Sequence, residues 1–132
     1  RMEIVQDKPT IIVDASHNKD GLEITLDEIR EKYKGKIYCI FGSTKEREVN
    51  AGFMNIFNHT HLYFCTFSNE RSKTVEDWNT INVTLNQSIE IHTNINPLFN
   101  EVRAKLSPND VLLVTGSFFL LSDLNFESKN KT

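Results

Sequence analysis

Length, composition and charge already limit what this chain is. It has 132 residues, 39% hydrophobic and 25% charged, which is typical of one soluble globular domain with a sizeable core. Fifteen basic and 18 acidic side chains leave a net charge of −3, which disfavours a nucleic-acid partner, and no apolar run approaches the roughly 18 residues of a membrane span.

Strand-like and helix-like patterns alternate along the chain. In chain order they predict a strand over Met2–Gln6, a strand over 10–13 that ends at Asp14, a helix over 22–33, a strand over 36–41, a helix over 49–57, a strand over His61–Cys65, a helix over 75–85, a weaker strand over 88–91, a helix over 95–106, a strand over Val111–Thr115 and a short helix over 118–124. Near-continuous apolar strands are typical of a parallel sheet covered by helices on both faces. We therefore predict an α/β fold: a three-layer, doubly wound, mostly parallel sheet with one N-terminal antiparallel edge strand.

The domain limits and the cysteines follow from the same pattern. Residues 1–126 form one predicted domain, and 127–132 form a frayed tail. The chain begins at Arg1 rather than Met, so we expect a fragment of a longer protein. Cys39 and Cys65 lie in apolar runs, which favours buried free thiols in a reducing compartment and hence a cytoplasmic protein. A disulfide between neighbouring strands is the alternative.

Polar side chains cluster where the predicted strands end. They lie in segments 14–21, 42–45, 67–71 and 116–117. In open α/β sheets, ligands bind beyond the carboxyl ends of the strands. These segments therefore predict a binding site on one rim of the sheet.

Asp14 and His17 are the first candidates on that rim. A carboxylate directly after a buried strand can accept two hydrogen bonds, as from a sugar diol. An imidazole at the mouth of the next helix can donate to a phosphate or a hydroxyl, and the helix start itself favours anions. The alternative is that Asp14 and Ser16 cap the helix and that His17 is an exposed loop histidine.

Gly116, Ser117, Lys45 and Arg71 complete the candidate set. Glycine lets a ligand approach the backbone closely, and Ser117 can bind a carboxylate or phosphate, or simply cap the last helix. Lys45 and Arg71 are either ligand-binding cations or solvated charges. The spacing alone leaves both alternatives open.

Other kinds of site have no support in the sequence. It contains no G-x-x-x-x-G-K-[ST] phosphate loop and no G-x-G-x-x-G fingerprint. His59 and His61 have no acidic or cysteine partner nearby, so we predict no metal site in this chain. Cys39 and Cys65 have no basic neighbour that would activate a thiolate.

Three segments together resemble a known family. They are Arg1-Met2-Glu3, the D-x-x-H-N-x-D-G element from Asp14 to Gly21, and the L-V-T-G-S element that ends at Ser117. In this order and spacing they are similar, over the whole chain, to the C-terminal domain of the folylpolyglutamate synthase/dihydrofolate synthase family, within the Mur ligase superfamily. The resemblance implies a Rossmann-like domain of an ATP-dependent, ADP-forming ligase.

Such enzymes phosphorylate a carboxylate of the pterin substrate and then join it to the amino group of glutamate. The resemblance implies that this chain closes over ATP and helps place glutamate, while the P-loop and the Mg²⁺ ligands lie in a central domain absent here. The isolated chain should therefore be inactive. The implied partners are that central domain, glutamate, and a folate or dihydropteroate, with no nucleic acid and no membrane.

The resemblance also implies roles for individual residues. Arg1 would contact the ATP phosphates, Asp14 the ribose, and His17 with Asn18 the nucleotide nearby. Lys45, Arg71 and Ser117 would be the substrate-binding residues. Lys45 and Arg71 would face the cleft between the domains, and Arg71 or Ser117 would meet the carboxylate of glutamate.

Two departures from the family pattern are mild, and a further segment bears on the substrate. Ala15-Ser16 and Lys19 replace a usual Gly-Ala pair and proline, neither of which supplies a charged or acid–base group. Segment 68–71 reads Ser-Asn-Glu-Arg where diaminopimelate-adding ligases carry Asp-Asn-Pro-Arg, which favours folate. The alternatives are the C-terminal domain of a peptidoglycan-precursor Mur ligase and a non-catalytic α/β module that binds an anion or a protein.

Overall fold

Strands and helices alternate along the described part of the chain. The structure, a computed structural model, describes residues 2–126, so the candidate Arg1 and the predicted tail 127–132 lie outside it. The strands are β1 (Met2–Gln6), β2 (Thr10–Asp14), β3 (Ile37–Phe41), β4 (His61–Cys65), β5 (Glu90–His92) and β6 (Val111–Thr115). The helices are α1 (Lys19–Lys32), α2 (Ala51–Met54), α3 (Val75–Thr84), α4 (Ile95–Lys105) and α5 (Phe118–Asp123), with a 3₁₀ turn, Asn55–Phe57, after α2. No helix within residues 2–126 combines the length and apolar character that crossing a bilayer requires.

The strands form one sheet in the order β1-β2-β6-β3-β4-β5. Neighbouring strands are parallel except β1 and β2, which are antiparallel. β6 lies inside the sheet, where Thr115 pairs with Asp14 of β2 on one side and with Phe41 of β3 on the other. The predicted fold class, a mostly parallel sheet with one N-terminal antiparallel edge strand, is confirmed.

Two apolar cores cover the two faces of the sheet and give the molecule its three layers. Helices α1 and α3 and the α2 region build one core, with Leu22, Leu26, Ile29, Phe53, Phe57 and Trp78. Helices α4 and α5 build the other, with Ile95, Leu98, Phe99, Val102 and Leu120. Along β6, Leu113 belongs to the first core, and Leu112 and Val114 belong to the second. Both faces of β6 are therefore buried, which is why its apolar run is unbroken.

Two elements differ from the sequence prediction. The helix expected over 49–57 is one α-helical turn followed by the 3₁₀ turn, because Gly52 and the asparagines of this segment favour helix only weakly. The weak strand expected over 88–91 lies at Glu90–His92. The bounds of this strand depend on its pairing with β4, in which Tyr63 lies opposite Glu90. The local sequence pattern does not show which strand it pairs with.

The two cysteines are free and buried. Cys39 lies in the core on one face of the sheet and Cys65 in the core on the other. Burial, together with the nearby charge of Asp123, raises the pKa of Cys65 to about 12, and burial also raises the pKa of Cys39. The alternative of a disulfide is wrong, because the two side chains point into different cores.

Candidate functional site

The carboxyl ends of the central strands bring the first and last candidate segments together. Because Asp14 and Thr115 are register partners, the loop after β2 and the turn after β6 begin side by side. The Thr115 hydroxyl donates to the backbone carbonyl of Asp14 at 2.8 Å. The predicted neighbourhood of Asp14 and the Gly116-Ser117 turn on one rim is therefore found in the structure.

A cavity of about 330 Å³ opens on this rim, and we call it the rim cavity. Its lining is Ala15, His17, Thr44, Glu46, Arg47, Arg71, Gly116, Ser117, Phe118 and Phe119. It thus brings together three candidates from distant segments, His17, Arg71 and Ser117. Lys45 does not line it and instead lines a neighbouring groove, in part with Glu70 and Lys73.

Gly116 lines the rim cavity where the ends of β3 and β6 approach each other closely. Gly116 has a φ of +113°, and a Cβ placed there would lie 2.1 Å from the carbonyl oxygen of Gly42. The N–H of Gly42 in turn donates to the Thr115 carbonyl at 3.2 Å. Only glycine fits this turn without strain.

Ser117 begins α5 directly after that turn. Its hydroxyl accepts from the backbone N–H of Phe119 at 3.1 Å, so Ser117 is the N-cap of α5, and it is buried. The capping role that the sequence suggested is confirmed. Phe118, the next residue, is 68% exposed and leaves an aromatic side chain at the cavity wall.

The loop from Asp14 to Asn18 is held from within the domain. Asp14 is 1% exposed, and its carboxylate accepts from the Ser16 N–H at 2.9 Å and from the Thr25 hydroxyl of α1 at 2.5 Å. Burial raises the pKa of Asp14, but hydrogen bonds, including these two, lower it by more, so it lies below the ordinary value. The carboxylate therefore ties the end of β2 to α1.

Asn18, not Asp14 or Ser16, caps α1. The Asn18 side chain accepts from the N–H of Gly21 at 2.7 Å. The alternative that Asp14 and Ser16 are the helix caps is wrong, because α1 begins only at Lys19, one residue after Asn18. His17 lies between the two anchored residues and is exposed at the rim cavity.

A buried lysine that the sequence did not single out joins two loops of the rim. Lys73 is 4% exposed, and its Nζ donates to the carbonyls of Thr44 at 2.9 Å and Lys45 at 3.2 Å, and also to the carbonyl of Arg47. The N–H of Lys45 donates to the carbonyl of Arg71 at 2.7 Å. Burial lowers the pKa of the Lys73 amine. In the sequence this lysine looks like any solvated charge, and its role appears only when the two loops meet.

The charged groups of the rim cavity come mostly from these joined loops. The guanidinium of Arg71 lies 6.0 Å from the centre of the Phe119 ring, within the range of a cation–π contact. Nε of Arg47 is buried without a hydrogen-bond partner among residues 2–126. Hydrogen bonds from Thr44 and from its own backbone lower the pKa of Glu46, as do the charges of Arg71 and Lys73. Glu46 and Arg47 follow the candidate Lys45 directly, and that proximity was the one signal that could have found them.

The cavity can therefore bind a small charged ligand. Guanidinium groups suit carboxylates and phosphates, with which they form charge-assisted hydrogen bonds. Nothing within residues 2–126 groups three His, Cys, Asp or Glu side chains for a metal ion.

Comparisons with known proteins show which proteins this chain is similar to. Residues 1–118 match the family model described as Mur ligase, glutamate ligase domain. A dihydrofolate synthase/folylpolyglutamate synthase of Buchnera aphidicola subsp. Schizaphis graminum is 29% identical over 93% of this chain. The UDP-N-acetylmuramoyl-L-alanyl-D-glutamate–2,6-diaminopimelate ligase of Haemophilus influenzae is 46% identical, over 36% of the chain.

A solved structure shows the same fold. The bifunctional folylpolyglutamate synthase/dihydrofolate synthase of Yersinia pestis, complexed with AMPPNP and Mn ion, has a TM-score of 0.77 over 91% of this chain at 16% identity. This chain spans 28% of that structure and 29% of the Buchnera protein. The similarity therefore concerns less than a third of each larger protein.

Proposed function

This chain belongs to the family of Mur ligase, glutamate ligase domains, and from that premise we propose that it is the C-terminal domain of an ATP-dependent ligase that adds glutamate to a folate. The parent enzyme would use ATP to phosphorylate a carboxylate of a dihydropteroate or folate. The amino group of glutamate would then displace phosphate and leave an amide. Similarity to a folate enzyme over 93% of the chain supports this acceptor, since the diaminopimelate ligase matches only 36%.

The rim cavity is the observation that most supports the proposal. His17, Arg71 and Ser117 come from three separate segments and meet there, at the edge of the sheet where α/β domains bind ligands. We assign His17 and Asn18, both exposed on the anchored loop, to the nucleotide. Arg71 and Ser117 are assigned to the incoming glutamate, and Lys45, in the adjacent groove, to the border with the central domain.

Arg1 and Asp14 also have proposed roles in binding the nucleotide. By resemblance, Arg1 would contact the ATP phosphates. Asp14 would contact the ribose, as the resemblance implies, and the hydrogen bonds that its buried carboxylate accepts from the Ser16 N–H and the Thr25 hydroxyl support a second role in holding the loop before His17. Mg²⁺ would neutralise phosphate charge, and its ligands would come from the central domain together with the P-loop.

The test is glutamate addition by the full-length parent. We expect ATP-dependent ligation of glutamate to dihydropteroate or folate by the parent, and none by the isolated chain. His17→Ala in the parent should lower kcat/KM by about 10- to 100-fold, because a hydrogen bond to a charged group is worth about 1.5–3 kcal/mol. His59→Ala, a change in an exposed histidine that does not line the rim cavity, is the control. Full activity of the His17 variant would remove the site assignment.

A peptidoglycan-precursor ligase is the second candidate, supported by the 46% identity over 50 residues to the diaminopimelate ligase. Assays of the parent with pteroate substrates and with UDP-muramyl substrates separate the two. A parent that is inactive with both kinds of substrate would favour the third hypothesis, a non-catalytic binding module. We also propose a cytoplasmic location, which the two free and buried thiols support.

A further inference from the structure

The rim cavity contains a carboxylate that the proposed contacts do not use. Glu46 lines it together with Arg47 and Arg71. Cations alone would suit a phosphate or a dicarboxylate, and a carboxylate among them would repel such ligands. Glu46 is exposed at the cavity, near the charges of Arg71 and Lys73, so a ligand with a positive group suits this wall better than a purely anionic one.

The charges of the cavity match those of an amino acid with two carboxylates. At neutral pH glutamate has two carboxylates and one ammonium group. The cavity presents two guanidiniums, Arg47 and Arg71, and one carboxylate, Glu46. Each charge on the ligand thus has an opposite charge on the wall, which is the arrangement that favours binding and sets orientation.

The loops hold these three side chains near one another, and the charge of Arg71 acts on Glu46 without a direct ion-pair contact among residues 2–126. Lys73 binds the carbonyls on both sides of Glu46, those of Lys45 and Arg47, and the Lys45 N–H bonds to the Arg71 carbonyl. Neither arginine forms an ion pair with a carboxylate among residues 2–126. Because no ion pair within the described part of the chain involves them, the two guanidiniums are available to a ligand.

We propose that Glu46 binds the ammonium group of the incoming amino acid while Arg47 and Arg71 bind its two carboxylates. This inference rests on the proposed function and adds a specificity-determining residue to it. Glu46 selects an amino acid over a plain dicarboxylate, and the three contacts together orient the amino group.

The experiment compares glutamate with glutarate, which lacks only the amino group. In the full-length parent, Glu46→Gln should raise the KM for glutamate by about tenfold, through loss of a charge-assisted hydrogen bond, and leave the KM for ATP unchanged. Inhibition by glutarate should be unchanged or stronger in this variant. Arg47→Met should weaken glutamate and glutarate alike. Glu48→Gln changes an exposed glutamate two positions away, outside the cavity lining, and should alter none of these constants.

Two results would overturn the inference. One is a Glu46→Gln variant with an unchanged KM for glutamate; the other is an equal loss of glutamate and glutarate, which would show that Glu46 only shapes the loop. Calorimetric titration of glutamate into wild type and Glu46→Gln decides the same point without turnover. Failure of the proposed function is distinguishable, because it would appear in the wild-type parent as an absence of glutamate addition.

Discussion

Lys73 shows how a single residue can organise the candidate site without facing it. Its ammonium group is buried and donates hydrogen bonds to three backbone carbonyls, while the nearby carboxylates of Asp77 and Glu46 raise its pKa against the effect of burial. A buried charge is tolerated only when its hydrogen bonds are satisfied. Because those carbonyls belong to residues 44, 45 and 47, the positions of Glu46 and Arg47 depend on this lysine.

Lys73→Met should destabilise the chain by about 1–3 kcal/mol, because buried carbonyls that lose their donor cost roughly that much. The measurement is urea denaturation followed by circular dichroism. Lys34→Met, a change in an exposed lysine between α1 and β3, should shift the midpoint little. Equal midpoints for the two variants would contradict the role assigned to Lys73.

At the scale of elements, the turn between β6 and α5 is the most constrained connection of the rim. Gly116→Ala would force a side chain into a left-handed conformation and toward the Gly42 carbonyl. Backbone strain of this kind costs about 1–3 kcal/mol, and the overlap adds to it. We expect a marked fall in thermal midpoint, measured by calorimetry.

Gly52→Ala is the matched control for that change. Gly52 lies in α2, and a Cβ placed there would lie 3.5 Å from Oδ1 of Asn50, an ordinary van der Waals contact. Alanine is favoured over glycine in a helix by about 0.5–1 kcal/mol, so this variant should be as stable as the wild type or slightly more stable. A Gly116 variant as stable as the Gly52 variant would refute the argument from the turn.

At the scale of the whole molecule, the sheet order predicts where the fold is most stable. β6 pairs on both sides and is buried on both faces, whereas β1 and β5 are the two edges of the sheet. Amide hydrogen exchange should therefore be slowest in Val111–Thr115 and faster in Met2–Gln6 and Glu90–His92, since edge amides open locally. Equal protection of β1 and β6 in exchange measured by NMR would contradict this.

Local patterns predicted most of the fold because they report burial directly. The unbroken apolar run of β6 and the stripe of α1 each follow from which faces are covered. The same reasoning located α2 and β5 but did not give the helix type of the first or the bounds of the second. The residues of α2 have low helix propensity. The bounds of β5 depend on its partner strand β4, in which Tyr63 lies opposite Glu90.

The sequence by itself determined the alternation of strands and helices, the fold class and the four segments that form the rim, because each depends on residues close together along the chain. Only the tertiary structure decided which charged side chains share the rim cavity. Asp14 and Thr115 are 101 positions apart and joined by a hydrogen bond. Lys73 donates to backbone carbonyls 26 to 29 positions earlier in the chain. Glu46 and Arg47 line the rim cavity, whereas Lys45 lines the neighbouring groove. These contacts depend on strand order and loop packing, and the local periodicity of a sequence does not encode either.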